Sequence, residues 1–142
     1  MTQLDNKPLV LLVEDSQDDA FLFNWALEKC GIDVCLHHAW HGGEAVEFLQ
    51  QTLARAAALP KITFLDIKMP IMNGFEVLQW VRANPALAAL PVAMLSGSEQ
   101  PRDKALAAQL GANEYLIKPV KPPHLLKYLA AGAVNQTLSL SQ

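Results

Sequence analysis

Residues 9–15 read Leu9-Val10-Leu11-Leu12-Val13-Glu14-Asp15, five apolar positions without a break followed by two acids. A strand with one wet face alternates apolar and polar residues. An unbroken run of this length therefore marks a strand buried on both faces, as in a parallel sheet covered by helices. Ile62 to Leu65 and Val92 to Leu95 read the same way, and the first of these also runs into an acid, Asp66. A weaker Val34 to Ala39 and a short Tyr115 to Ile117 bring the predicted strands to five.

Between the strands, apolar residues recur at helical spacing. Ala20, Phe23, Leu27 and Cys30 form one stripe, and Ala45, Phe48, Leu49 and Leu53 a second. Val77, Leu78 and Val81 supply a third, and Leu106 and Leu110 a fourth, opened by Pro101 and stopped by Gly111. Leu125, Leu126 and Leu129 supply the fifth, behind Pro122 and Pro123. Ser16 with Asp19 three places on is a capping-box pattern for the first helix, which Gly31 closes. Strand and helix thus alternate five times, and right-handed crossovers place helices on both faces of one sheet, giving an α/β, doubly wound architecture. The 142 residues suffice for one domain, expected over 8–131, with 1–7 and 132–142 as terminal extensions and no output domain. The stretch after 131 loses its periodicity and is expected to fray.

Composition narrows the function classes. Eleven Lys and Arg against fourteen Asp and Glu leave a net charge of −3, with no basic surplus for a nucleic acid. The longest apolar run, Ala86 to Leu95, is ten residues and carries Pro91, far short of a bilayer span. The polar start, Met1 to Lys7, has no apolar signal core, so a cytoplasmic protein is expected. Cys30 and Cys35 form no CxxC pair and are expected to be free, buried thiols. His37 and His38 are adjacent on a strand and face opposite ways, which with His41 makes a poor zinc site. Trp25, Trp40 and Trp80 read as packing or helix-surface residues, and the glycines form no nucleotide-binding loop.

In a doubly wound sheet, ligands bind beyond the carboxyl ends of the strands. The first strand ends in Glu14 and Asp15, the third in Asp66, the fourth in Ser96 and the fifth in Lys118. Three carboxylates brought together repel unless a cation sits among them, and an all-oxygen set with open positions suits Mg²⁺. A lysine and a hydroxyl beside that cation make a pocket for a phosphoryl group, for which a carboxylate can serve as nucleophile.

These residues resemble the receiver domains of two-component response regulators. The likeness rests on four parts in order: the Glu14-Asp15 pair, the run Asp66-Ile67-Lys68-Met69-Pro70-Ile71-Met72-Asn73-Gly74, the turn Leu95-Ser96-Gly97, and Tyr115-Leu116-Ile117-Lys118-Pro119. It implies a flavodoxin-like receiver fold, with strand order 2-1-3-4-5 and five helices. It implies that Asp66 is the phosphoacceptor and that Asp15 and Asp66 hold Mg²⁺ directly. Glu14 would act through a water, and the backbone carbonyl of Lys68 would be a further ligand. Lys118 would pair with the carboxylate and then the phosphoryl group, and a cis Lys118–Pro119 bond would turn it toward Asp66. Ser96 would bond a phosphoryl oxygen, and Tyr115 would be a switch that enters space opened when the loop after the fourth strand is drawn in. Lys68 and Ser98, each two positions after a site residue, would tune dephosphorylation.

Among receivers the chain looks most like stand-alone regulators serving phytochrome-like sensor histidine kinases, on Ala83-Asn84-Pro85, His41-Gly42-Gly43-Glu44 and the Tyr115 to Val120 ending. The expectation is a phosphorelay switch rather than a turnover enzyme. Its partners would be a sensor histidine kinase, an unknown downstream protein and a second copy across the face of the fourth helix, fifth strand and fifth helix. Three alternatives stand beside it. An aspartyl-nucleophile phosphohydrolase would need an acid where Lys68 stands, an FMN carrier would be coloured, and a phosphorylation-independent adaptor would not need the acceptor constellation.

Overall fold

The computed structural model describes residues 7–130. Five strands, β1 (Leu9–Val13), β2 (Cys35–Ala39), β3 (Ile62–Asp66), β4 (Val92–Ser96) and β5 (Glu114–Ile117), alternate with five helices. The helices are α1 (Gln17–Cys30), α2 (Gly42–Ala54), α3 (Gly74–Ala83), α4 (Pro101–Gln109) and α5 (Pro122–Leu129). The strands form one sheet in the order β2-β1-β3-β4-β5, every pair parallel. Alternate residues of the three inner strands serve two cores. Leu11, Val13, Leu65 and Met94 face α2 and α3, whereas Val10, Leu12, Phe64 and Leu95 face α1 and α5, where Phe23 meets Phe64 at 5.0 Å between ring centroids. β3 and β4 are buried along their whole length, so each carries its terminal polar residue, Asp66 or Ser96, into the protein.

The helix ends are closed by local chemistry. Asn73 and Glu76 form a reciprocal capping box on α3, and Gly31 takes the left-handed conformation after α1. On α1 only half of the expected box exists. Ser16 caps the Asp19 N–H at 3.2 Å, but the Ser16 N–H goes to Glu14 Oε2 and the Asp19 carboxylate to Lys118.

Several packing expectations change. Cys35 is exposed on the edge strand β2 and Cys30 is half-buried, so neither thiol is a core residue. Leu126 is 46% exposed, while Tyr128 joins Leu125 and Leu129 inside. On α4, Ala107 rather than Leu106 or Leu110 is buried. Trp25 and Trp40 are exposed, and Trp80 packs against the α3-side core. His37 and His38 do part company: His37 stacks on Phe48 at 3.9 Å, and His38 turns to the end of β1. Residue 131 and the segment 132–142 expected to fray lie outside the described residues, as do residues 1–6.

Candidate functional site

Parallel strands end on the same edge, so the residues that follow β1 and terminate β3 and β4 converge. Glu14, Asp15, Asp66, Ser96 and Lys118 all line one cleft of about 380 Å³, together with Asp19. Glu14 and Asp66 are 1% and 3% exposed. Carboxylate oxygens of Glu14, Asp15 and Asp66 all lie within 4.8 Å of one another. Gly74 sets this geometry from below, because a Cβ there would meet the Asp66 carbonyl oxygen at 2.3 Å and so α3 can start directly against β3.

Lys118 follows β5 directly, and its bond to Pro119 is cis. Its Nζ lies 2.7 Å from Asp19 Oδ2, 3.0 Å from Asp66 Oδ1 and 3.2 Å from Glu14 Oε1. Burial alone would drive the ammonium toward neutrality, but the bonds to Asp19 and Asp66 and the charges of Asp66 and Glu14 outweigh it and hold the proton more tightly than usual. Burial pushes the Glu14 carboxyl up to about 7, with the Asp66 charge adding to it and the Ser16 N–H and Lys118 opposing. Burial also raises Asp66 above the usual carboxylate range, against the pull of Lys118 and with a further push from Asp15. Four carboxylates line the cleft with two lysines, of which Lys118 bonds Asp19, Asp66 and Glu14, so the site carries an unbalanced negative charge.

Asp19 is the site residue that the sequence reading assigned elsewhere. It stands four residues beyond Asp15, so one helical turn brings it above the acid pair. That spacing was the available signal, and the capping-box pattern hid it.

Beyond β4, Ser96 Oγ donates to the Ser98 carbonyl at 2.7 Å and accepts the Ser98 N–H at 3.1 Å. The Tyr115 hydroxyl donates to the same carbonyl at 3.0 Å, and its ring is buried. The Tyr115 ring thus lies inside, with its hydroxyl held by the loop after β4. Lys68 and Ser98 both line the cleft. On the other side, His38 Nε2 lies 2.8 Å from the Glu14 carbonyl oxygen.

Could a divalent cation fit? Three mutually repelling carboxylates, two of them buried, converge on one small volume with all-oxygen chemistry and a solvent-open side. That donor set suits Mg²⁺ or Mn²⁺ and offers nothing to a thiolate-seeking metal. Glu14, Asp15 and Asp66 would hold the ion.

Residues 10–130 match the response regulator receiver domain family. The chain is 31% identical over 122 residues to the transcriptional regulatory protein GltR of Pseudomonas aeruginosa, covering 86% of this chain but only 47% of that protein, so it spans about half of that relative. It is 32% identical over 122 residues to protein PilH of the same species, covering 86% of this chain and 94% of PilH. Among solved structures, the bacteriophytochrome response regulator AtBRR superposes with a TM-score of 0.78 at 33% identity, covering 94% of this chain and 98% of that one. The Mn²⁺-bound form of response regulator Rcp1 superposes with a TM-score of 0.74 at 31% identity, covering 89% and 98%.

Proposed function

This chain belongs to the receiver-domain family of response regulators, and from that premise we propose that Asp66 accepts a phosphoryl group from a phosphohistidine of a sensor histidine kinase. The observation that carries this reading is the placement of Asp66, a buried carboxylate with Lys118 Nζ 3.0 Å from Oδ1, at the bottom of an acid-lined cleft. An Asp66 oxygen attacks phosphorus, the P–N bond to the imidazole breaks as the P–O bond forms, and the freed imidazole retains the electron pair. When bound, Mg²⁺ neutralises charge on the transferring group and on the acids. Lys118 follows the charge from the carboxylate to the phosphoryl oxygens. Ser96 turns its hydroxyl from the Ser98 carbonyl to the phosphoryl group, leaving that carbonyl to Tyr115 alone and tightening the loop after β4. Lys68 and Ser98, at the rim, govern the approach of water in dephosphorylation.

Receiver domains are signalling modules rather than turnover enzymes, and this one acts as a switch whose partner surface changes with phosphorylation. The unit spans 8–131, with 1–7 and 132–142 as extensions, and works in the cytoplasm. Its likeness to AtBRR supports a phytochrome-type kinase as the phosphodonor. A second copy docks on the α4-β5-α5 face. The test is intact-mass measurement after incubation with acetyl phosphate. One phosphoryl group per chain is expected with Mg²⁺, and none with a chelator or in Asp66→Asn. Stoichiometric labelling of Asp66→Asn would overturn the assignment.

A further inference from the structure

β2 grips the end of β1 at two consecutive polar atoms. The Glu14 N–H donates to the Ala39 carbonyl at 3.0 Å, and the Glu14 carbonyl lies 2.8 Å from His38 Nε2. The ladder between these strands ends at Val13 opposite Ala39. Beyond it the chain turns away toward α2, with the Trp40 N–H taken by Glu44 Oε1 at 2.8 Å. The imidazole thus supplies a donor where the strand leaves the ladder. A carbonyl oxygen only accepts, so His38 carries its hydrogen on Nε2. Its ring is backed by Trp40, with centroids 3.9 Å apart and planes tilted by 38°.

The peptide group held in this way links Glu14 to Asp15, the two adjacent acids of the cleft. The orientation of that peptide plane sets ψ of Glu14 and φ of Asp15, the two torsions that fix how the adjacent side chains point relative to each other. We propose that His38 is a positioning residue for the cation site: its Nε2–H pins the Glu14–Asp15 peptide so that both carboxylates face Asp66 before an ion arrives. Partners one step removed from a metal act in this way, by meeting the ordering cost in advance. The proposal rests on the reading that these acids hold a divalent cation.

Two measurements test it. In the metal-free parent, ¹⁵N NMR of the His38 ring is expected to show the Nε2–H form, and a ring protonated on Nδ1 alone would overturn the proposal. Calorimetric titration with Mg²⁺ then compares the parent with His38→Leu, which removes the donor, and His38→Gln, whose amide N–H reaches to nearly the same place. Leu is expected to weaken Mg²⁺ binding about tenfold, and Gln to restore it to within roughly twofold of the parent. A parent that binds Mg²⁺ with both variants unchanged, or with both equally weakened, overturns the positioning role and leaves the cation reading standing. A parent that takes up no Mg²⁺ overturns the cation reading, and the positioning role falls with it. Should His38→Leu fail to fold, the ring tautomer and the Gln variant decide the matter.

Discussion

Glu14 is buried at the end of a strand, beside another acid and against a third, and its carboxyl is raised to about 7. The folded chain therefore binds this proton more tightly than the unfolded chain, which releases it near 4.5. Stability contributed by the group is intact below about 4.5, falls as pH rises, and is fully lost above about 7. Urea denaturation in the presence of a chelator is expected to show a fold less stable at pH 8 than at pH 5 by on the order of 2–3 kcal/mol, and saturating Mg²⁺ should flatten that dependence. Asp66 is raised by the same burial. Asp66→Asn, which removes the proposed phosphoacceptor, is accordingly expected to stabilise the metal-free fold, measured in the same titration. A destabilised Asn variant would mean that the bond to Lys118 outweighs the cost of burying the charge. Most of this cluster was legible in the sequence because each member ends or follows a strand and a parallel sheet sends all such ends to one edge. Asp19 was not, because it reaches the cleft from inside α1, where an acid has an ordinary alternative use at a helix start.

At the scale of elements, the contact between β3 and α3 is the tightest constraint on the site. A methyl group at Gly74 would stand 2.3 Å from the Asp66 carbonyl oxygen and 2.9 Å from the Ile67 Cα, both backbone atoms that cannot step aside. Gly74→Ala is expected to cost at least about 2 kcal/mol and to shift Asp66 out of line with Lys118, seen as lost stability together with slowed phosphorylation by acetyl phosphate. Gly43, one position inside α2, makes a contrast. Its added methyl would meet only the exposed His41 ring at 3.3 Å, so Gly43→Ala is expected to be neutral or stabilising by up to about 0.8 kcal/mol in thermal denaturation. β1, β3 and β4 could be read from the sequence because burial on both faces leaves a short run without alternation, and runs of five residues are too short for a buried helix. The edge strands were harder to bound, since β2 alternates between exposed and half-buried positions. Helix phase was misjudged on α5, where Tyr128 keeps its ring inside by giving its hydroxyl to Glu114, and the small Ala107 does for α4 what larger neighbours were expected to do.

Across the whole molecule, burial is unevenly shared among the helices. α1 and α3 each bury four residues, whereas α4 buries Ala107 alone and gets no side-chain cap from Gln100, the residue before it. Native-state hydrogen exchange is expected to find the amides of α4 the least protected of the five helices, and protection of α4 equal to that of α3 would refute this. The sheet order has a consequence of another kind. Each strand pairs with a neighbour only after an intervening helix has been made, and β1, first from the ribosome, ends up between β2 and β3. Glu14 and Asp15 emerge early and Asp66 midway, while Lys118 lies 104 residues after Glu14. A nascent chain that has released β1 to β4 thus holds three like charges at one edge with Lys68 alone beside them, and docking of β5 is the event that first brings an ammonium into direct contact with Glu14 and Asp66.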